Sequence, residues 1–246
     1  MTTYAWFVRG EKHAGLAQVS MAAVKRADRS ADCVVATDED GLTVPGARMV
    51  RFTAGLPLMV ANVQAQIEVM HRNHVPVVFL DTDVLFLKPF PDQPSEAITV
   101  TWRDTVGGKL GDLPGGVADA MPYNYGVIGV LPGPSTIEAF LWLRERVRRL
   151  APNLQQWYGN QVALVGLCGP RPTAGEVIEQ REIVWTPSKP GLSVMVRKLP
   201  GTTWNYTPRD RDEDLSERGA VHFKGHTRPW MEIVAKRLDL PWRDAA

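Results

Sequence analysis

The stretch Val75-Pro-Val-Val-Phe-Leu-Asp-Thr-Asp-Val-Leu-Phe-Leu-Lys-Pro-Phe90 places two carboxylates, Asp81 and Asp83, at the end of an almost wholly apolar run. Val77 to Leu80 are β-branched, aromatic or aliphatic without an amphipathic gap, the pattern of a strand buried on both faces. Two acids at i and i+2 beside such a strand are costly to bury unless positive charge neutralises them. A hard divalent cation, Mn²⁺ or Mg²⁺, answers that need and keeps positions open for phosphate oxygens. The other reading of the pair is a cap or salt bridge at a strand end.

Outward from this run, strand and helix alternate. Thr3 to Val8 reads as a strand ending at Arg9-Gly10, and His13 to Arg26 as a helix with a basic C-terminal end. Cys33 to Ala36 is a second apolar run closed by the acidic turn Thr37 to Gly41, Arg48 to Phe52 is a weaker strand, and Pro57 to His74 is a helix. Such alternation predicts an α/β fold with a mainly parallel, Rossmann-like sheet flanked by helices, ligands sitting at the carboxyl ends of the strands. Arg9-Gly10, Thr37-Asp38 and Asp81-Thr82-Asp83 all fall at those ends.

Further along, Ala97 to Trp102 and Tyr125 to Leu131 read as strands, and Thr105 to Pro122 as a Gly- and Pro-rich loop. Ser135, with Glu138 three residues on, predicts a capping box opening a helix to about Leu150. Trp157 to Leu167 reads as a short helix, Ile183 to Thr186 and Ser193 to Val196 as short strands. With no clean linker or repeat, the expectation is one domain over 1–246 with a smaller acceptor-side lobe: a nucleotide-binding half, 1–103, then the acceptor side with the late metal and phosphate motif, 104–246.

The 28 Lys+Arg and 27 Asp+Glu among 246 residues leave no global field to recruit nucleic acid or an anionic membrane. Arg144, Arg146, Arg148 and Arg149 form a local basic face, read first as a solvated helix end. Cys33 and Cys168 have no CxxC spacing and no nearby His, so they read as buried free thiols in a reducing compartment. The N-terminus lacks the pattern of a signal peptide, and no apolar stretch is long enough to span a membrane. A cytoplasmic protein without stable membrane insertion is the expectation.

Three further segments carry chemistry: Tyr123-Asn-Tyr-Gly-Val-Ile-Gly129, Trp157-Tyr-Gly-Asn-Gln161 and Val221-His-Phe-Lys-Gly-His-Thr-Arg-Pro-Trp230. His222 is an imidazole able to complete a metal site begun by two acids. Gly225 lets backbone approach a ligand, and Lys224 and Arg228 offer charge to a diphosphate.

Taken together, Asp81-Thr-Asp83, Asn124-Tyr-Gly126, Asn160-Gln161 and the segment from His222 to Trp230 resemble the ordered motifs of GT-A fold glycosyltransferases. Family 8 enzymes and related nucleotide-diphospho-sugar transferases are the nearest likeness, over about residues 3 to 230. The resemblance implies transfer of a sugar from a nucleotide-diphospho-sugar, a UDP-sugar, to an acceptor hydroxyl with retention of configuration. It implies Mn²⁺ or Mg²⁺ held by Asp81, Asp83 and His222, with Asp81 also reaching the ribose. Gly225 and Arg228 correspond to phosphate-contacting positions, Asn124 to the Asn near sugar and acceptor, and Gln161 to the amide near the anomeric carbon, with Asn160 beside it. Val8, Arg9 and Gly10 would lie near the base. The chain departs from the family in having Arg228 where Lys is usual and Asn160 where Asp is usual, which removes a carboxylate that holds donor hydroxyls. Candidate acceptors are a glycan, a protein or a hydroxylated DNA base. A non-catalytic nucleotide-sugar-binding module and a sugar-phosphate nucleotidyltransferase remain as alternatives, the second without the glycine-rich phosphate loop it would need.

Overall fold

The structure is a computed structural model that describes residues 1–93, 97–103, 121–173, 175–183 and 191–242. Its strands are β1 (Thr3–Phe7), β2 (Asp32–Thr37), β3 (Arg48–Arg51), β4 (Val77–Leu80), β5 (Val84–Phe86), β6 (Ala97–Trp102), β7 (Tyr123–Val130), β8 (Val177–Ile183), β9 (Leu192–Pro200) and β10 (Ala220–His222). The helices are α1 (Glu11–Ala27), α2 (Leu58–His71), α3 (Pro134–Arg148), α4 (Pro152–Gln156), α5 (Gly159–Cys168), α6 (Gly201–Trp204) and α7 (Trp230–Arg237).

One large sheet runs in the order β3-β2-β1-β4-β7-β6-β9-β8. Its first four strands are mutually parallel. Beyond β4 the sheet is mixed: β7 opposes both β4 and β6, β9 runs parallel to β6, and β8 opposes β9. Alternate side chains feed two cores. Tyr4, Trp6, Cys33, Val35, Val78 and Leu80 meet α1 through Ala14, Ala17, Met21 and Val24. Ala5, Val34, Ala36 and Phe79 share the opposite core with Val60, Val63, Ile67 and Met70 of α2. β4 is apolar at every position because both of its faces are covered; burying each such side chain contributes roughly 1.5–3 kcal/mol.

After β1 the chain winds to β2 and β3 on one side, then returns through α2 to β4 on the other. That reversal opens a crevice between the carboxyl ends of β1 and β4, the position where open α/β sheets bind ligands. Trp6 pairs with both Val35 and Leu80, so Val8 to Gly10 and Asp81 emerge at the same edge.

A second, two-stranded sheet pairs β5 with β10 antiparallel, with His222 opposite Val84. It is anchored from below by Ser20 of α1, which accepts a hydrogen bond from Trp6 Nε1 at 2.9 Å and donates to the Val84 carbonyl at 2.5 Å. Neither strand is visible as a pairing partner in the sequence, because each has only three residues.

The start of α3 differs from the expected Ser135–Glu138 box. Gly133 precedes the helix, Pro134 occupies its first turn, and Thr136 Oγ1 accepts the Gly133 N–H at 3.0 Å. Proline lacks an N–H and its fixed φ suits the first helical position, so the helix begins before Ser135 can cap it. Most of the expected loop, 105–120, and residues 184–186 of one expected strand lie outside the described residues. No helix among the described residues is long and apolar enough to cross a membrane.

Candidate active site

Asp81 follows β4 directly, Asp83 immediately precedes β5, and β10 delivers His222 across from Val84, one residue from Asp83. The ladder continues past it, with Phe223 N donating to the Asp83 carbonyl at 2.9 Å. His222 Nε2 consequently lies 3.0 Å from Asp83 Oδ1 and 3.6 Å from Asp81 Oδ2. One ligand atom from each of the three residues falls within 4.8 Å of the others. Asp83 and His222 are buried, whereas the Asp81 side chain is 39% exposed and faces the crevice.

The donor set fits a hard or borderline divalent cation: two carboxylate oxygens and one imidazole nitrogen. The backbone fits it too. A Cβ on Gly126 would stand 2.4 Å from His222 Cε1 and 3.0 Å from Asp81 Oδ2, so β7 is pressed directly against the cluster. A break in register between β6 and β7, where Val100 pairs with Ile128 but Thr101 with Asn124, bends β7 there, and Gly126 O accepts the Asp81 N–H at 3.0 Å.

Arg228 Nε and Nη2 donate to Asp83 Oδ2 at 3.1 and 2.8 Å. Burial alone would raise Asp83, but His222 and Arg228 outweigh it and hold the carboxyl well below its ordinary range. For Asp81 the protein packed around the crevice desolvates the carboxyl despite its partial exposure and pushes its pKa up, with His222 opposing and Asp83 adding to the rise. Lys224 is pushed down to about 7 by burial, Arg103 adding to the effect and the two acids opposing it. Gly225, at φ +58, opens the 3₁₀ turn Gly225–Thr227 that carries the chain from Lys224 to Arg228.

The remaining expected residues lie around this centre. Arg9 Nε donates to Asp38 Oδ1 at 2.8 Å and its Nη2 donates to the Leu56 carbonyl at 2.9 Å. Gly10, at φ +77, opens α1 and donates its N–H to Glu39 Oε2 at 2.8 Å. The Val8 side chain is fully buried and its N–H bonds the Ala36 carbonyl, so it offers a ligand only its remaining backbone. Asn124 Oδ1 is turned to the Gly126 N–H at 3.1 Å, and Asn160 Oδ1 to the Gln161 N–H at 2.9 Å. Both asparagines are buried.

Several site residues were not singled out from sequence. Arg103 Nη2 donates to Gln161 Oε1 at 2.6 Å. His13 Nδ1 lies 3.2 Å from Thr82 Oγ1, between the two acids in sequence. Asn205 Oδ1 lies 2.8 Å from His222 Nδ1. Asn62 and Gln66 of α2 line a cleft with Tyr125 and Asp81, and Tyr125 donates its hydroxyl to Gln66 Oε1 at 2.5 Å. For His13, Asn62 and Gln66 the helical spacing gives only the side of a helix, and Arg103 borders a segment without clear pattern.

Solved structures share this architecture. A glycosyltransferase involved in glycosylation of the major capsid of PBCV-1 superposes with a TM-score of 0.56 at 14% identity, covering 96% of this chain and 98% of its own. The bifunctional glycosyltransferase WbbM gives 0.56 at 12% identity over 98% of this chain and 50% of its own. GlyE of Streptococcus pneumoniae TIGR4 gives 0.54 at 12% identity over 98% of this chain and 61% of its own. No family model and no curated protein matches the sequence. The fold is therefore the GT-A architecture that these glycosyltransferases share.

Proposed function

We propose that the protein is a metal-dependent glycosyltransferase that moves a sugar from a nucleotide-diphospho-sugar, a UDP-sugar, to an acceptor hydroxyl with retention of configuration. The observation that carries this reading is the meeting of Asp81, Asp83 and His222 at the carboxyl-end crevice of a fold shared with glycosyltransferases. In this reading 1–103 is the nucleotide-binding half and 104–246 the acceptor side, yet the second half returns His222, Lys224 and Arg228 to complete the first half's site.

Asp81, Asp83 and His222 would hold Mn²⁺ or Mg²⁺, which when bound supplies positive charge to the two phosphates of the leaving group. The chain's own cations act on the same charge. As the bond from the anomeric carbon to the phosphate oxygen breaks, negative charge grows on the diphosphate, and Lys224 and Arg228 stabilise it. Gly225 allows close backbone approach on the same side. The bond that forms joins the acceptor oxygen to the anomeric carbon, and the acceptor's proton passes to the departing phosphate. Gln161 suits a positioning role here, because its carbonyl oxygen already accepts from Arg103 and only its amide nitrogen remains to donate. Asn160 and Asn124 shape the sugar side as neutral amides. Arg9, Gly10 and the backbone of Val8 border the base.

A glycan or protein hydroxyl is the favoured acceptor over a DNA base. Arg144 bonds Gln64 at 2.6 Å, Arg148 pairs with Glu145 at 3.3 Å and Arg146 lies 5.5 Å from the Trp142 ring centroid, so much of this basic face is engaged internally. The two buried free thiols accord with a reducing, cytoplasmic setting.

A thermal-shift panel of nucleotide-sugars with and without Mn²⁺ tests the reading. A UDP-sugar at about 100 times its Kd adds about 2.7 kcal/mol, or about 5–10 °C in a chain of this size. The shift should require Mn²⁺, and turnover should release UDP. A panel in which no nucleotide-sugar shifts the transition in Mn²⁺ removes the proposal.

A further inference from the structure

His222 carries two ring nitrogens, and only one of them faces the acids. The other, Nδ1, lies 2.8 Å from Asn205 Oδ1. Asn205 is 5% exposed and sits just past α6, where its own N–H bonds the Gly201 carbonyl at 3.0 Å. The next residue is stitched to β10 on both sides: Tyr206 N donates to the Ala220 carbonyl, and His222 N donates to the Tyr206 carbonyl at 2.7 Å. The amide therefore has little freedom to leave the imidazole.

Its orientation is set from behind. Asn205 Nδ2 donates to Thr101 Oγ1 at 2.8 Å, and Thr101 is fully buried. A hydroxyl has one proton, and Thr101 directs it to the Asn124 carbonyl at 3.3 Å. Thr101 can then only accept from Asn205, which turns the amide NH₂ toward Thr101 and its carbonyl toward His222. Nδ1 must supply the proton of that contact. Nε2 faces the acids, 3.0 Å from Asp83 Oδ1 and 3.6 Å from Asp81 Oδ2: without a cation it can donate to Asp83, and with one it is the nitrogen left to coordinate. The flipped amide would present NH₂ to Nδ1 and force the proton onto Nε2, pointing it at the position a cation would take.

We propose that Asn205 is a positioning residue that fixes the tautomer and orientation of His222, with Thr101 fixing the direction of the Asn205 amide. The cation-binding consequence rests on the metal reading above; the tautomer itself does not. Groups of this kind behind a metal-binding imidazole typically change metal affinity about 10–100-fold when removed.

The test uses the full chain. Long-range ¹H–¹⁵N spectra of the cation-free protein should show a proton on His222 Nδ1; a bare Nδ1 overturns the proposal. Asn205→Leu should mix the tautomers and weaken Mn²⁺ binding, measured by calorimetry, about 10–100-fold. Asn205→Asp, which still accepts from Nδ1, should keep the wild-type tautomer. Should Asn205→Leu fail to fold, Thr101→Val serves in its place, since it releases the amide to turn and should also mix the tautomers. An unchanged tautomer in whichever of these two variants folds overturns the proposal. If wild-type protein binds no Mn²⁺ while the tautomer responds as stated, the metal reading falls and the positioning role of Asn205 stands.

Discussion

Replacing Gly126 by alanine should damage the candidate site through a single methyl group. The added Cβ would lie 2.4 Å from His222 Cε1 and 2.5 Å from His222 Nδ1, where ordinary contact begins at 3.4 Å. Either the imidazole or the β7 backbone must therefore move by about 1 Å. The imidazole is 5% exposed and held by Asn205, and the Gly126 carbonyl is tied to the Asp81 N–H at 3.0 Å, so neither yields freely. Overpacking of this kind costs about 1–3 kcal/mol, and a displacement of about 1 Å at reacting groups costs on the order of 10²-fold in rate. Gly129→Ala provides the control on the same strand. Its Cβ would meet Phe90 Cε1 at 2.6 Å and Gln93 Oε1 at 2.5 Å, away from the acids. Thermal unfolding should show both variants destabilised, whereas calorimetric titration with Mn²⁺ should show only Gly126→Ala weakened. Wild-type Mn²⁺ affinity in Gly126→Ala, or an equal loss in Gly129→Ala, would refute the reasoning.

Asp83→Asn and His222→Ala should each lower Mn²⁺ affinity by more than about 100-fold, read by calorimetry; full turnover of either variant in chelator contradicts the assignment. Arg9→Met leaves buried Asp38 without its partner, and with Arg9 itself 25% exposed the cost should be about 2–3 kcal/mol, measured by chemical denaturation. Burial pushes the Cys168 thiol up to about 12 and raises Cys33 as well, so Ellman's reagent at about pH 8 should label neither thiol until denaturant is added. Mn²⁺ and UDP should each tighten the other's binding by the same factor, within about 5–150-fold; independent titrations would contradict a shared site.

The parallel half of the fold was legible because each element repeats a local pattern. The apolar run of β4, the alternation around Trp6 and the helical spacing of Val60, Val63 and Ile67 all state which faces are covered. The acids were legible for a related reason: carboxylates abutting a strand buried on both faces need neutralising. What stayed hidden depends on contacts between distant residues. β5 and β10 are separated by well over a hundred residues and have no periodicity to read, yet their pairing brings His222 to Asp83. Asn205 follows a four-residue helix and looks like any polar turn residue until Thr101 and His222 are seen on either side. Gly126 could be noticed as a glycine in a buried strand, but only the bend in β7 shows what its missing Cβ makes room for. Ser135 failed as a cap because the local pattern was outweighed by the proline immediately before it.

The charges of the site argue that cation and diphosphate belong together. Asp83 is held ionised by His222 and Arg228, while burial works against a second full charge on Asp81. On the opposite side, burial lowers both Lys224 and Arg103, and Arg103 itself disfavours charge on Lys224. The crevice thus sets an acidic pair that wants positive charge beside half-buried cations that want negative charge. A lone dication would satisfy the acids and worsen the electrostatics of the cations; a lone diphosphate would do the reverse. A dication carrying a diphosphate would answer both, its charge offsetting the acids and its phosphate oxygens offering negative charge to Lys224 and Arg228. Arg228 gives two of its donors, Nε and Nη2, to Asp83 Oδ2. A cation held by Asp81, Asp83 and His222 would take over part of that neutralisation, so that Arg228 could turn donors to a phosphate without leaving Asp83 unpaired.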